Sequence, residues 1–107
     1  MDWKDPIINA FEKHEKRRVE IHSALVELVE ELKRSLPKRQ VGIVVASEYP
    51  MEWKVTVGYR TVTIAERDVT DYQIEYDKDL SPTGGMVEVS EALRQLLSTR
   101  LSNHQAP

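Results

Sequence analysis

The residues able to do chemistry are few, and their spacing is unhelpful to an enzyme. The nearest approach to a catalytic pattern is His14-Glu15-Lys16-Arg17-Arg18. It opens as the H-E-x-x-H helix that holds zinc between two histidines one turn apart, but Arg18 stands where the second histidine must be. His14 and His22 are ~12 Å apart along a helix axis, too far to share an ion from one helix. Gly84-Gly85 lacks the longer pattern of a phosphate-cradling loop. None of the serines sits in a G-x-S-x-G context, and no Ser/His/Asp set assembles around them. Residues 66–79 hold six acids and two bases, which fits a solvated, aggregation-resistant surface better than an acid–base dyad. With no cysteine, thiol nucleophiles, zinc–thiolate sites and disulfides are excluded. No catalytic, cofactor or metal residue is assigned, and the expectation is a protein that is not an enzyme.

Any such residues would be positioned by a single small domain. The chain has 107 residues, a net charge of -3 and 31% charged residues. That length supports one hydrophobic core and not two. No apolar run approaches the ~18 residues of a membrane span, and MDWKDP at the N-terminus is not a signal-peptide pattern. The expectation is a cytoplasmic protein without a membrane contact.

The first third reads as one long helix over residues 6–35. Asp5 and Pro6 suit an N-cap and the first helical position, and Pro37 forces its predecessor out of the helical region. A 3-4 register runs through Ile8, Phe11, Glu15, Arg18 and His22, then Leu25, Val29, Leu32 and Leu36. The apolar C-terminal half would cover a sheet. The mixed half, Ile8 to His22, would overhang it or form a seam with a second copy. Trp3, just ahead of this helix, suits a hydrophobic staple onto Ile7 or Ile8.

Residues 41–76 read as a four-stranded antiparallel meander. In 41–46 both alternating sets are apolar, which predicts a strand buried on both faces. Trp53, Val55 and Val57 alternate with polar residues, and after Gly58-Tyr59 the alternation resumes with opposite parity at Val62 and Ile64. A two-residue turn led by Gly58 pairs Trp53 with Ile64, Val55 with Val62 and Thr56 with Thr61. Tyr72, Ile74 and Tyr76 then predict a fourth strand whose outer face carries Asp71, Glu75 and Asp77. Residues 77–85 read as a loop, Met86–Val89 as a short fifth strand, 90–102 as a helix capped by Ser90, and 103–107 as a frayed tail. The fold expected is α+β, with both helices on the Trp53/Val55/Val62/Ile64 face.

Two features point to partners. A helix of ~45 Å outreaches a sheet ~19 Å wide, and an apolar first strand at a sheet edge invites pairing. Both favour a homodimer, with Ile8, Phe11, Glu15, Arg18 and His22 as a seam. Lys13, Lys16, Arg17 and Arg18, with Tyr49 and Met51 at a loop tip, form a candidate partner-binding surface. An acidic surface at Asp71, Glu75, Asp77 and Asp79 opposes it. The function expected is a small protein-binding module: an adaptor, a chaperone-like factor or an inhibitor. The alternative is a nucleic-acid-associated protein that contacts phosphates through the basic patch.

Overall fold

The computed structural model describes residues 2–102; the tail expected at 103–107 lies outside the described residues. The architecture is α+β, with three helices, a three-stranded antiparallel sheet and a separate two-stranded one.

Helix α1 runs Lys4–Ser35, ~48 Å at the helical rise. It starts two residues earlier than Pro6. The Asp2 carboxylate accepts from the Lys4 N–H at 3.2 Å, so Asp2 performs the capping expected of Asp5. Asp5 falls in the first turn, where its charge suits the helix dipole, and Pro6 occupies a position whose N–H has no helical acceptor. The helix ends before Pro37 as expected. Trp3 is 75% exposed and staples nothing, because Ile7 and Ile8 are themselves half exposed.

Strands β1 (Val41–Glu48), β2 (Met51–Val57) and β3 (Arg60–Ala65) lie in that order. The hairpin register is the one the parity inversion requires: Trp53 opposite Ile64, Val55 opposite Val62, Thr56 opposite Thr61. Gly58 carries the positive φ of 64° that the turn demands, and the Thr56 and Thr61 hydroxyls bond at 3.0 Å. One sheet face packs against Ile21, Leu25, Leu28 and Val29 of α1, and against Leu93, Leu96 and Leu97 of the last helix. Trp53, Val55 and Ile64 are at most 1% exposed in that core.

β1 is not buried on both faces. Val44, opposite Lys54, is 61% exposed because α1 and α3 pack on the Trp53 face and no element covers the other; Val45, opposite Trp53 itself, is still 45% exposed at the free edge of the sheet.

The fourth strand of a meander is replaced by helix α2, Glu66–Gln73. Asp68 accepts from the Ala65 N–H at 2.9 Å, and Glu66 and Asp68 place negative charge at the positive helix end. Ala65 has no side-chain oxygen, so only this half of a capping box exists. Val69 and Gln73, one turn apart, are the buried residues of α2. The alternation of Tyr72, Ile74 and Tyr76 therefore spans a helix end and β4, Ile74–Tyr76. β4 pairs with β5, Pro82–Met86, so the expected loop 77–85 contains a tight turn and most of a strand. The Asp77 carboxylate holds that turn by accepting from the N–H groups of Asp79 (2.9 Å) and Ser81 (3.0 Å). Met86 closes β5, so residues 86–89 form no fifth strand of the main sheet and do not shield β1. Helix α3, Val89–Ser102, begins one residue before Ser90 and buries Ala92, Leu93, Leu96 and Leu97. Among the described residues no helix is long and apolar enough to cross a membrane.

Candidate interaction surface

The first three turns of α1 stand clear of the body. Residues 2–13 are all exposed, and they include Trp3 (75%), Ile7 (48%), Ile8 (49%) and Phe11 (71%). Trp3, Ile7 and Phe11 recur every fourth residue and form one ridge along the helix. The helix former pattern continues here without a core to pack on, so its apolar side chains face solvent.

The body takes hold of α1 at His14. Its Nε2 lies 3.2 Å from the Glu48 carbonyl oxygen, and its ring rests against Tyr49 with centroids 5.1 Å apart. Tyr49 is otherwise 84% exposed, at the tip of the β1–β2 turn. Met51, expected beside it at that tip, is 3% exposed and belongs to the core, because it is already the first residue of β2. The loop therefore offers Tyr49 alone of the two.

Of the four bases in the expected patch, two are engaged. The Arg17 guanidinium donates to Gln73 (2.5 Å), Thr70 (3.3 Å) and Glu20 (2.9 Å), with Glu66 at 3.7 Å. Gln73 in turn donates to the Val87 carbonyl at 3.0 Å. Arg17 thus ties α1 through a buried amide to the segment entering α3. Arg18 is paired with Glu15 one turn back; the hydrogen bond to Arg18 holds the Glu15 carboxyl below its usual range, and Glu15 raises the Arg18 guanidinium reciprocally. Lys13 and Lys16 remain exposed. The outcome is a patch of two lysines beside two neutralised arginines, bordering a shallow hollow of about 510 Å³ that Glu20 and Glu66 also line.

The expected seam residues divide likewise. Ile8 and Phe11 are exposed on the protruding turns, Glu15 and Arg18 pair with each other, and His22 turns inward. Its Nδ1 accepts from the Trp53 Nε1–H at 3.1 Å. The acidic residues are spread over three settings: Asp71 on α2, Glu75 on β4, Asp77 and Asp79 in the turn. All four are exposed, but Asp77 is occupied in shaping the chain.

A second polar clamp was not legible. Arg100 of α3 donates to the Thr63 carbonyl at 2.6 Å and meets both Asp68 carboxylate oxygens, at 3.1 and 3.3 Å. Burial pushes the Asp68 carboxyl up, but the Ala65 N–H and Arg100 together outweigh it and hold it below its ordinary value. Nothing in the spacing of residues 68 and 100 signals this pairing, which exists only once α2 and α3 pack.

At the far end of α1, Leu32, Leu36, Val57 and Leu101 line an open apolar groove of about 470 Å³ between α1 and α3. Among the described residues no three histidine, aspartate or glutamate side chains gather as metal ligands would. Compared with known proteins, the chain matches no family, no curated protein and no solved structure.

Proposed function

We propose that this chain is a small non-enzymatic protein-binding module, working as a homodimer, that grips a partner protein with the protruding start of α1. The observation that carries the reading is the ridge of Trp3, Ile7 and Phe11, three large apolar side chains on turns that touch no core. Amphipathic helices dock into hydrophobic grooves through such spacing, and large aromatics are the residues that dominate binding energy. Lys13 and Lys16, one turn further on, add a cationic rim that steers an acidic partner more than it tightens the complex. Protein binding ranks ahead of phosphate contact because Arg17 and Arg18 are spoken for by Glu20, Glu66, Gln73 and Glu15.

Affinity purification from the native host, with and without nuclease, tests this when run beside a Trp3→Ser/Phe11→Ser variant. A partner retained by the native chain, resistant to nuclease and lost from the variant is the expected outcome. Identical retention by both chains, or retention abolished by nuclease, contradicts it.

A further inference from the structure

We infer that the second copy joins through the free edge of β1, pairing antiparallel with its own equivalent about Ile43 to make one continuous six-stranded sheet. This rests on the homodimer reading above and names the surface and the register.

The argument starts from which way the backbone points. The two-residue turn at Gly58-Tyr59 makes Val57 and Arg60 a hydrogen-bonded pair, so along β2 the odd residues bond β3 and the even ones bond β1. Gly42 and Val44 of β1, opposite Thr56 and Lys54, therefore spend their N–H and C=O groups on β2. The Gly58 N–H bonded to the Gln40 carbonyl at 2.7 Å continues the same phase. Val41, Ile43 and Val45 must then aim their N–H and C=O groups away from the sheet. Beyond the irregularity between Val45 and Ser47 the edge stops being free, because the Glu48 carbonyl is held by His14.

Those three outward residues are symmetric about Ile43. A two-fold axis there sets Ile43 opposite its own copy and Val41 opposite Val45, every pair exchanging two hydrogen bonds. Gly42 then faces the partner's Val44 in the intervening, closer pairs. Two features of the edge fit this pairing. Val44 is 61% exposed on an uncovered face. Gly42 weakens a strand, yet its φ is not positive and a Cβ there would meet nothing within 4 Å, so nothing inside the chain requires a glycine. Strand glycines of that kind mark the close approach of another backbone.

Residues 41–47 contain no charge and no proline to protect the edge, and the one irregularity in β1 lies after Val45, beyond the outward-facing residues. A second copy is favoured over an unrelated extended peptide because the outward residues of this edge are their own complement about Ile43. The paired stretch, residues 41–45, is ~17 Å long, and the sheet and helix layers together are ~20 Å deep. Because α1 packs over β1, a second copy meets both layers and buries about 700 Å² in total, the size of a weak, reversible dimer. A lone strand would meet only one layer.

The chain has no cysteine, so single-cysteine variants report the register directly. In the proposed pairing Cα42 and the partner's Cα44 lie ~4.5 Å apart, whereas 42–42 and 44–44 are ~8 Å apart, beyond disulfide reach. Mixing Gly42→Cys with Val44→Cys under mild oxidation is expected to give the mixed disulfide several-fold over either homodisulfide. Val45→Pro removes an outward N–H and no bond to β2, and Val44→Lys alters a solvent-facing side chain. Both are expected to be monomeric by light scattering at tens of micromolar, with the circular dichroism of the native chain, which is dimeric there. A monomeric native chain, homodisulfides as abundant as the mixed one, or both variants folded and still dimeric overturns the proposal. Crosslinks to another protein in place of self-association also overturn it. None of these residues lies on the α1 ridge, so a dimeric chain without the 42–44 preference overturns this register alone, whereas a monomeric native chain overturns the homodimer reading with it and leaves partner capture through Trp3 and Phe11 to its own test.

Discussion

The indole Nε1 of Trp53 donates a 3.1 Å hydrogen bond to Nδ1 of His22, joining the centre of the sheet to the middle of α1. Trp53 is 1% exposed, so its N–H has no water to fall back on. The bond also fixes the imidazole tautomer, since Nδ1 must be unprotonated to accept. Replacing His22 by Ala leaves a buried donor without an acceptor and is expected to cost about 1–3 kcal/mol in urea unfolding. A Trp3→Phe background leaves Trp53 as the sole tryptophan, so its fluorescence should report the lost contact in the folded state. His22→Gln keeps an acceptor and should recover part of the loss.

Asp68 makes stability depend on acid. Against the upward push of burial, the Ala65 N–H and the Arg100 guanidinium hold its carboxyl below the ordinary carboxylate range in the folded chain. A lowered folded value means the contribution is fully present above the ordinary carboxylate range and is lost as pH falls through the folded value, so below about pH 4. Asp68→Asn should destabilise the chain by about 1.5–3 kcal/mol at pH 7, as expected for a hydrogen-bonded charged partner. The difference between variant and native should shrink as pH falls below 4. A constant difference across that window would assign the effect to packing instead.

Arg17 and Arg18 are neighbours in sequence with opposite expectations. Arg17→Met leaves Gln73 without its donor and loosens α1 from α2, which should cost about 1–2 kcal/mol. Arg18→Met removes only a solvent-facing pair with Glu15 and should leave the melting temperature unchanged. Parallel thermal melts of the two variants check this. Equal effects would place both arginines in one surface patch.

Much of this architecture is legible in the residues, and the parts that are not share a cause. The β2–β3 register follows from the parity inversion around Gly58-Tyr59, because only one pairing puts Trp53, Val55, Val62 and Ile64 on a common face. α1 and α3 follow from long apolar stripes with clear stops. α2 was hidden because ERDVTDYQ offers one strong apolar residue, Val69, and its helical state is decided by packing against α3. The two-faced apolar character of 41–46 is real, but it marks an uncovered strand and not an enclosed one. Met51 illustrates the same gap, since one residue decides between a loop tip and a strand start. Of the expected surface, Phe11, Ile8, Lys13, Lys16 and Tyr49 are outside as read. Arg17 is drawn inward by Gln73, a long-range contact with no local signature.

The protruding turns of α1 should be dispensable for folding. Trp3→Ser with Phe11→Ser alters two side chains that are 75% and 71% exposed, so the unfolding midpoint should stay where it is. A large destabilisation would mean that these residues pack within the chain or its dimer.

Site-specific photo-crosslinking in the native host tests the central claim most directly. A photoreactive phenylalanine analogue at position 11 should yield a covalent adduct with one distinct protein, while the same group at the exposed position 30, on the outer side of α1, should not. An adduct with nucleic acid from position 11, or no adduct there while position 30 gives one, would contradict the assignment of the α1 ridge as the partner-binding surface.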